Sequence, residues 1–251
     1  MKHKINTAIF ITLFGLEIYF FRSSDLFPAL LVGTALLFLA IIGIGVVFIR
    51  LSYFVPTTSR LKGDKVLLTF DDGPDPDNTQ KILGILNEHN IGAFFFLIGN
   101  KIEANKGIVE EIIREGHMIG NHSYSHNNFM AFYSTKALIN DFTKTEEILD
   151  SLSKDRSRFF RPPIGYTTPN YTRALKRLNL KCIGWRLRTY DTLTKDPGKL
   201  ISRLVRTTKK GDIVLFHDNL NVTLECLPKY IAEAKQNGII FVSKDEVKNV
   251  L

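Results

Sequence analysis

Residues 65–74 read KVLLTFDDGP, an apolar run of strand-forming residues that stops abruptly at two adjacent aspartates and a Gly-Pro pair. Such a run, closed by turn residues, is typical of a buried β-strand. Similar runs follow downstream, among them AFFFLI at 93–98 and DIVLFH at 212–217. The stretches between them are longer and amphipathic, for example KGIVEEIIREG at 106–116, and these favour helices. Alternating strands and helices predict parallel βαβ units and an α/β fold.

About seven strands are expected in this part of the chain. Besides the three runs above, the candidates are MIGN at 118–121, RFFR at 158–161, KCIGWRL at 181–187 and IIFVS at 239–243. In parallel α/β folds the active site lies at the carboxyl ends of the strands. Polar residues stand at or just beyond several of these ends: Asp71, Asp72, His122, His126, Arg161, Asp191 and His217. We therefore expect these side chains to share one cleft.

The first 49 residues are far more apolar than the rest of the chain. Residues 26–49 form a charge-free run, and about 20 residues suffice to cross the hydrocarbon core of a bilayer. Residues 7–21 form a shorter run that contains Glu17, compatible with a spanning helix, an interfacial helix or the apolar part of a signal sequence. We predict a membrane anchor of one or two helices at 1–49, a linker at 50–64 and a folded domain at 65–251.

The sequence leaves open which side of the membrane the domain occupies. Basic residues precede the first apolar run and follow the second, whereas Arg22 and Asp25 lie between the runs. If both runs span, the positive-inside rule puts both ends of this hairpin in the cytoplasm. If only the second run spans, the domain faces outward.

The formal net charge of +8 comes from Lys and Arg residues that are spread along the chain. We interpret it as a generally basic surface, which favours contact with anionic membrane lipid or an anionic wall polymer. No nucleic-acid partner is expected, because no basic cluster stands out. The sequence predicts no oligomeric state.

Residues 122–126 read HSYSH, with two imidazoles four residues apart after a predicted strand. Two imidazoles and one carboxylate form a suitable ligand set for Zn²⁺ or a related divalent ion, and leave a position open for water and substrate. Taken alone, each polar cluster also has a structural interpretation. Asp-Gly-Pro is common in turns, and histidines at this spacing are often surface or capping residues.

Five motifs occur in order along the chain: TFDDGP, HSYSH, FRPPIG, WRLRTYD and LFHD. Together they resemble the polysaccharide deacetylase family, the NodB-homology carbohydrate esterases, from about Lys65 to the C-terminus. The resemblance implies a deformed (β/α) barrel, here of about seven strands and preceded by the membrane-anchor hairpin. It also implies a divalent metal ion, usually zinc, and the hydrolytic removal of N-acetyl groups from amino sugars.

The resemblance implies a role for each matching polar residue. Asp72, His122 and His126 would bind the metal ion. Asp71 would be the general base and His217 the general acid, and each such proton transfer is typically worth about 10² to 10⁴ in rate.

Two further residues would support this pair. The resemblance implies that Arg161 orients Asp71. It also implies that Asp191 hydrogen-bonds His217 and keeps it protonated.

Three positions would contact the substrate according to the same resemblance. The backbone N–H of Ile164 would bind the oxyanion, while Trp185 and Leu215 would form the walls of the acetyl pocket. The family often has Tyr in place of Ile164, but a backbone amide survives that change. The fourth motif, usually Asp-x-x-Asp-Trp, reads Arg-Thr-Tyr-Asp-Thr at 188–192. This departure affects the expected substrate more than the expected reaction.

Three functions are therefore compatible with the sequence. The first is a metal-dependent hydrolase acting on N-acetylated amino sugars of peptidoglycan or a chitin-like glycan. The second is a deacetylase or deformylase of a lipid-linked sugar at the membrane. The third is a non-catalytic glycan-binding membrane protein. In each case we expect the protein at a bacterial cell membrane.

Overall fold

The structure of the protein, a computed structural model, describes residues 2–154 and 156–251. Its centre is a sheet whose described strand pairs are all parallel. The strands are β1 Thr57–Thr58, β2 Leu67–Gly73, β3 Ala93–Leu97, β4 Met118–Asn121, β5 Phe159–Phe160, β6 Lys181–Ile183, β7 Leu187–Arg188 and β8 Ile213–His217. Their spatial order is β1-β6-β5-β4-β3-β2-β8-β7, which places β2, with its two aspartates, well inside the sheet.

Helices connect the strands and precede them. They are α1 Lys2–Phe21, α2 Phe27–Val47, α3 Thr79–Glu88, α4 Gly99–Ala104, α5 Lys106–Arg114, α6 Thr135–Leu152, α7 Pro169–Arg177, α8 Pro197–Thr207 and α9 Asn221–Gln236. Because the strands are parallel, each return of the chain has to cross over the sheet, and from β2 to β8 most of these crossovers contain a helix. The expected α/β architecture, a curled parallel sheet that forms part of a deformed barrel, is confirmed.

The sheet has eight strands where about seven were expected, and the difference has three sources. The run at 181–187 breaks into β6 and β7, and β1 lies inside the predicted linker. The run at 239–243 forms only single bridges, parallel from Phe241 to Val66 and antiparallel from Ser243 to Ile91. That prediction of a strand was wrong, because the segment crosses the starts of two strands and meets each at one residue.

Apolar residues fill both sides of the sheet. Side chains alternate along a β-strand, so Phe95 packs in an outer core with the helices while Phe94 and Phe96 pack in a second core among the strands. Leu67 and Leu68 divide between the two cores in the same way. Strands that are buried on both faces have to be apolar throughout, which explains their unbroken apolar runs.

The two N-terminal helices form an antiparallel hairpin. The rings of Phe10 and Phe38 lie 4.8 Å apart, and Thr34 donates a hydrogen bond to the carboxylate of Glu17. Both helices are long and apolar enough to cross a membrane by length and composition, and a signal sequence would pass the same test. The carbonyl oxygen of Val46 accepts a hydrogen bond from the backbone N–H of Thr167 (3.2 Å), so the end of α2 docks on the domain.

The segment predicted as a linker is partly built into the fold. Tyr53, Phe54 and Val55 are buried in the same core as α6 and α7, and β1 follows them directly. A linker assignment for all of 50–64 is therefore too broad. The Pro, Ser and Thr residues around these three side chains gave the segment its linker-like composition.

Candidate metal centre and active site

Asp71 and Asp72 lie at the carboxyl end of β2, where the strand is irregular. The register with β3 shifts between Asp71 and Gly73, and Asp72 has a φ of 71°. Consecutive side chains of a regular strand point to opposite faces, but an irregularity in the ladder changes their direction. Both carboxylates consequently line one cavity. Gly73 is required beside them, since a Cβ there would come within 2.2 Å of a carboxylate oxygen of Asp218.

His122 and His126 lie on the loop that follows β4, and neighbouring polar groups hold this loop in shape. The side-chain oxygen of Asn121 accepts a hydrogen bond from the backbone N–H of Ser123 (2.7 Å). The hydroxyl of Ser123 in turn accepts one from the backbone N–H of His126 (3.0 Å). Nδ1 of His122 lies 2.8 Å from the carbonyl oxygen of Arg161. This contact fixes the ring and leaves Nε2 available for a ligand.

The two imidazoles meet the carboxylate of Asp72 in one place. Oδ1 of Asp72 lies 3.4 Å from Nε2 of His122 and 3.1 Å from Nε2 of His126. One ligand atom from each of the three residues lies within 4.8 Å of the others. We call Asp72, His122 and His126 the ligand triad. Its donors suit a divalent ion that is bound by three protein groups with a further position open.

The electrostatics of the ligand triad favour a charged carboxylate. Burial alone would raise the pKa of Asp72, but hydrogen bonds to both imidazoles outweigh it and hold that pKa well below its ordinary value. Burial lowers the pKa of His126, but the contact with Asp72, the charge of Asp71 and a backbone hydrogen bond together outweigh it, so the net shift is upward. Asp72 is therefore anionic at neutral pH, the state in which a carboxylate binds a metal ion.

Arg161 follows β5 and is completely buried. Its Nη1 donates hydrogen bonds to Oδ1 of Asp71 and to Oγ1 of Thr69, both at 2.8 Å. Nε and Nη2 donate to the carbonyl oxygens of Ile183 and Gly184. Burial lowers the pKa of Arg161 from its ordinary value, and the neighbouring Asp71 opposes that shift. The guanidinium group is thus held by four acceptors and fixes the carboxylate of Asp71.

His217, the last residue of β8, lies beside Asp71 because the two residues pair in the register of β2 and β8. Its Nδ1 lies 2.8 Å from Oδ1 of Asp191, and its backbone N–H donates to Oδ2 of the same residue (2.8 Å). Burial lowers the pKa of His217, but the contact with Asp191 and the charges of Asp71 and Asp72 together outweigh it, and the net shift is upward. Burial raises the pKa of Asp191, and its contacts with His217 outweigh this and lower it. The pair favours a protonated imidazole next to a carboxylate.

The predicted substrate-contacting residues line a cavity of about 160 Å³, which we call the catalytic cavity. Ile164, Trp185 and Leu215 lie in its wall together with Asp71, His217 and the ligand triad. Arg161 and Asp191 lie behind this wall, each bonded to a lining residue. The structure thus brings all ten predicted site residues to one cleft.

The backbone of Ile164 is strained. Its φ of 61° is a conformation that a β-branched residue rarely adopts, and such strain is concentrated at functional sites. The next residue, Gly165, also has a positive φ, and a Cβ there would come within 2.4 Å of the ring of Trp185. Close packing of Trp185 against Gly165 positions the indole in the cavity wall.

Several polar residues of the site were not predicted from the sequence. Thr69 accepts a hydrogen bond from Arg161, and Thr223 donates one to Oδ2 of Asp191 (2.8 Å). Asp141 on α6 accepts hydrogen bonds from backbone N–H groups of the histidine loop. Asp218 is fully buried, accepts from Thr79 (2.7 Å), and burial raises its pKa to about 7. Thr69 and Asp218 carried a signal, since they belong to the motifs TFDDGP and LFHD.

The profile of the family described as polysaccharide deacetylase matches residues 58–183. The chain belongs to the polysaccharide deacetylase family. A peptidoglycan-N-acetylglucosamine deacetylase of Bacillus cereus is 36% identical over 183 residues, which cover 71% of this chain and 66% of that protein. The expected family is confirmed. Its members include hydrolases of N-acetyl groups on glycans, as the name of this relative states.

Solved structures of polysaccharide deacetylase relatives include both an active and an inactive kind. A peptidoglycan N-acetylglucosamine deacetylase in complex with a hydroxamate-type benzamide has a TM-score of 0.69 and 34% identity, covering 74% of this chain and 88% of that one. A pseudoenzyme of the same carbohydrate esterase family from Bacillus anthracis has a TM-score of 0.70 and 27% identity, covering 79% and 71%. Fold alone therefore does not distinguish a catalyst from a binding protein. The distinction has to be made from the side chains of the site.

Proposed function

We propose that this chain is a metal-dependent hydrolase that removes N-acetyl groups from amino sugars of a bacterial glycan such as peptidoglycan. The observation that carries the proposal is the convergence of the ligand triad with two buried ion pairs in one cleft. The pairs are Asp71 with Arg161 and His217 with Asp191. A non-catalytic glycan-binding protein has no need of an acid–base pair behind its binding surface, so this set favours catalysis.

The ligand triad suits Zn²⁺, because two imidazoles and one carboxylate are ligands that zinc binds in catalytic sites. When bound, such an ion supplies Lewis-acid polarisation of the acetyl carbonyl and makes a water molecule more acidic. Zinc is the identity that we propose, and metal analysis of the purified protein tests it.

The chain's own residues move the protons. Asp71 accepts a proton from the attacking water, and Arg161 holds its carboxylate in place. His217 donates a proton to the amide nitrogen as the C–N bond breaks, which yields acetate and a free amino sugar. Asp191 stabilises the protonated imidazole. The backbone N–H of Ile164 is proposed as a donor to the oxyanion, and Trp185 and Leu215 as walls around the acetyl methyl group.

We propose further that residues 1–49 anchor the protein in a bacterial cell membrane, with both α1 and α2 spanning. In the hairpin, Nζ of Lys2 donates a hydrogen bond to the carbonyl oxygen of Leu51 (2.7 Å), so the start of α1 and the end of α2 lie on the same side. Lys2, Lys4 and Arg50 then lie on one side, and Arg22 with Asp25 on the other. The positive-inside rule places the domain in the cytoplasm.

This topology favours a second candidate substrate. A cytoplasmic domain does not reach a mature wall polymer, but it does reach a lipid-linked sugar at the inner membrane surface. Deacylation of such a sugar uses the same chemistry in the same cavity.

The experiment that tests catalysis is acetate release by the zinc-loaded full chain from acetylated chito-oligomers, peptidoglycan and a lipid-linked N-acetyl sugar. Asp71→Asn should lower the rate by about 10² to 10⁴, because it removes the general base. Zinc content should remain unchanged, since Asp71 is outside the ligand triad. Asp64→Asn is the control, because Asp64 is a surface residue that pairs with Lys210. No acetate from any of the three substrates by the zinc-loaded protein would refute the proposal.

A further inference from the structure

A second cavity, of about 330 Å³, lies between the end of α2 and the catalytic cavity. It is lined by residues 47–50 at the end of α2, residues 185–188 before and in β7, Tyr190 and Arg203. We call it the arginine cavity, because four arginines line it. Trp185 and Arg188 line both this cavity and the catalytic cavity. The two cavities are therefore adjacent, with Trp185 and Arg188 at their boundary.

Most of the positive charge in the arginine cavity is not neutralised by the protein. Arg186 forms an ion pair with Asp212. Within the described chain, Arg50, Arg188 and Arg203 have no carboxylate within 4.0 Å. Three unpaired guanidinium groups that share one concave surface attract an anion, because their positive charges add in the cavity.

Two of these arginines, Arg188 and Arg203, are held in place by neighbouring groups. Nη2 of Arg203 donates hydrogen bonds to the carbonyl oxygens of Arg188 (3.2 Å) and Thr189. The guanidinium carbons of Arg188 and Arg203 lie 5.4 and 5.2 Å from the ring centroid of Tyr190. Nε of Arg188 is buried and has no hydrogen-bond partner among the described residues. A donor that is positioned, desolvated and unsatisfied is what an anionic ligand would complete.

The position of the arginine cavity identifies the kind of anion. Arg50 follows the apolar helix α2 after Phe48 and Ile49, at the level where a membrane-spanning helix meets the lipid headgroups. Phe48 and Val47 are about half exposed and offer apolar contact next to the arginines. Guanidinium groups match phosphate oxygens with paired hydrogen bonds. The cavity thus combines unpaired guanidinium groups, an apolar edge and a position next to the catalytic cavity.

We propose that the arginine cavity binds the phosphate or diphosphate of a lipid-linked amino sugar, whose N-acyl group then enters the catalytic cavity. This inference rests on the proposed function and names the substrate class of the same site. Arg188 stands where the family's fourth motif usually has Asp, and a carboxylate there would repel a phosphate. An arginine in place of that aspartate therefore suits an anionic substrate.

The test compares the zinc-loaded full chain in nanodiscs on three substrates. They are N-acetylglucosamine on a polyprenyl diphosphate, the soluble nucleotide UDP-N-acetylglucosamine, and neutral N-acetylchitotetraose. Arg50→Gln and Arg188→Gln should each lower kcat/KM for the lipid diphosphate by about tenfold or more relative to the neutral oligomer, because each loses charge-assisted hydrogen bonds to phosphate. Arg50 is exposed, so its replacement is not expected to disturb folding.

The matched control is Arg206→Gln, which removes an exposed arginine from the same helix as Arg203 but outside the cavity. For this variant, the ratio of kcat/KM for the lipid diphosphate to kcat/KM for the neutral oligomer should stay within about twofold of wild type, as expected for a surface substitution. An equal ratio in Arg50→Gln, Arg188→Gln and wild type would overturn the proposal. Hydrolysis of the soluble nucleotide as fast as the lipid diphosphate would overturn the assignment of a lipid-linked substrate.

A binding measurement separates failure of this inference from failure of the proposed function. Asp71→Asn protein in nanodiscs should bind a radiolabelled polyprenyl diphosphate sugar, and Arg50→Gln in the same background should reduce that binding. If binding depends on Arg50 but no substrate releases acetate, the arginine cavity is supported and the hydrolase proposal fails. If acetate is released while binding is independent of Arg50, the hydrolase stands and the inference fails.

Discussion

Arg161 shows how strongly a single residue can determine the geometry of this site. A fully buried guanidinium group is hydrogen-bonded to Asp71, and its other donors go to neighbouring oxygens. Replacing it with an apolar side chain would leave the Asp71 carboxylate buried without its cation. We expect Arg161→Met to lower the free energy of unfolding by about 3–5 kcal/mol, the typical effect of breaking a buried ion pair. Urea unfolding followed by the fluorescence of Trp185, the only tryptophan, measures this change.

The double variant Arg161→Met with Asp71→Asn is the control for this prediction. It removes the unpaired negative charge, so it should recover part of the lost stability. If the double variant is no more stable than Arg161→Met alone, loss of packing rather than an unpaired charge explains the effect.

His217 and Asp191 give a prediction about pH. The Asp191 carboxylate raises the pKa of His217, so the imidazole remains protonated to higher pH than an ordinary histidine. A general acid is lost as pH rises through its pKa, and the alkaline limb of the rate profile should report this group. Asp191→Asn removes the interaction that raises the pKa, so the alkaline limb should move to lower pH. Measurement of kcat/KM against pH for acetate release checks the direction.

Glu225→Gln is a matched control for the pH prediction. It removes an acidic charge from an exposed position on α9, close in sequence to Thr223. Its alkaline limb should coincide with that of wild type. If the alkaline limb of Asp191→Asn lies at the same pH as that of wild type, the assignment of His217 as the general acid is contradicted.

At the level of elements, the irregular end of β2 and the docked end of α2 matter most. The apolar run KVLLTF indicated a strand, but nothing in its composition indicated the register shift at Asp72. The shift occurs in the pairing of β2 with β3, and the distant residue Asp218 packs against Gly73 at the same place. Side-chain direction at the end of β2 is therefore a tertiary property.

The docking of α2 on the domain gives a prediction at the same scale. A Cβ at Gly45 of α2 would come within 2.2 Å of the ring of Tyr53, whereas Gly43 has no atoms within 4 Å of the corresponding position. Gly45→Leu should therefore separate α2 from the domain and destabilise it by about 1–3 kcal/mol, the usual cost of overpacking. Gly43→Leu should have little effect. Thermal unfolding in detergent measures both, and equal melting temperatures would contradict close docking of the helix.

For the whole molecule, the proposed membrane topology of the hairpin can be tested with fusion reporters. With both helices spanning, a fluorescent protein fused to the C-terminus should fluoresce, and a periplasmic alkaline phosphatase fused there should be inactive. A phosphatase fusion after Ser24, in the turn between α1 and α2, should be active. An active phosphatase at the C-terminus would place the domain outside and remove the argument for a cytoplasmic lipid-linked substrate.

The alternation of apolar runs and amphipathic stretches was enough to predict a parallel α/β fold, because periodicity is a local property of the chain. Strand ends also predicted where polar side chains would gather. The number of strands was predicted less accurately. The 239–243 run is as apolar as a true strand, but in the fold it pairs through single bridges with two different segments.

The sequence alone was enough to predict the family, the candidate ligands and the apolar N-terminal segment, because these depend on residue types and their order. The folded chain added relations between distant segments. Pairing of β2 with β8 set Asp71 beside His217, burial gave Arg161 four acceptors, and docking of α2 created the arginine cavity beside the cleft. Such contacts join residues far apart in the chain, and packing rather than local preference selects them.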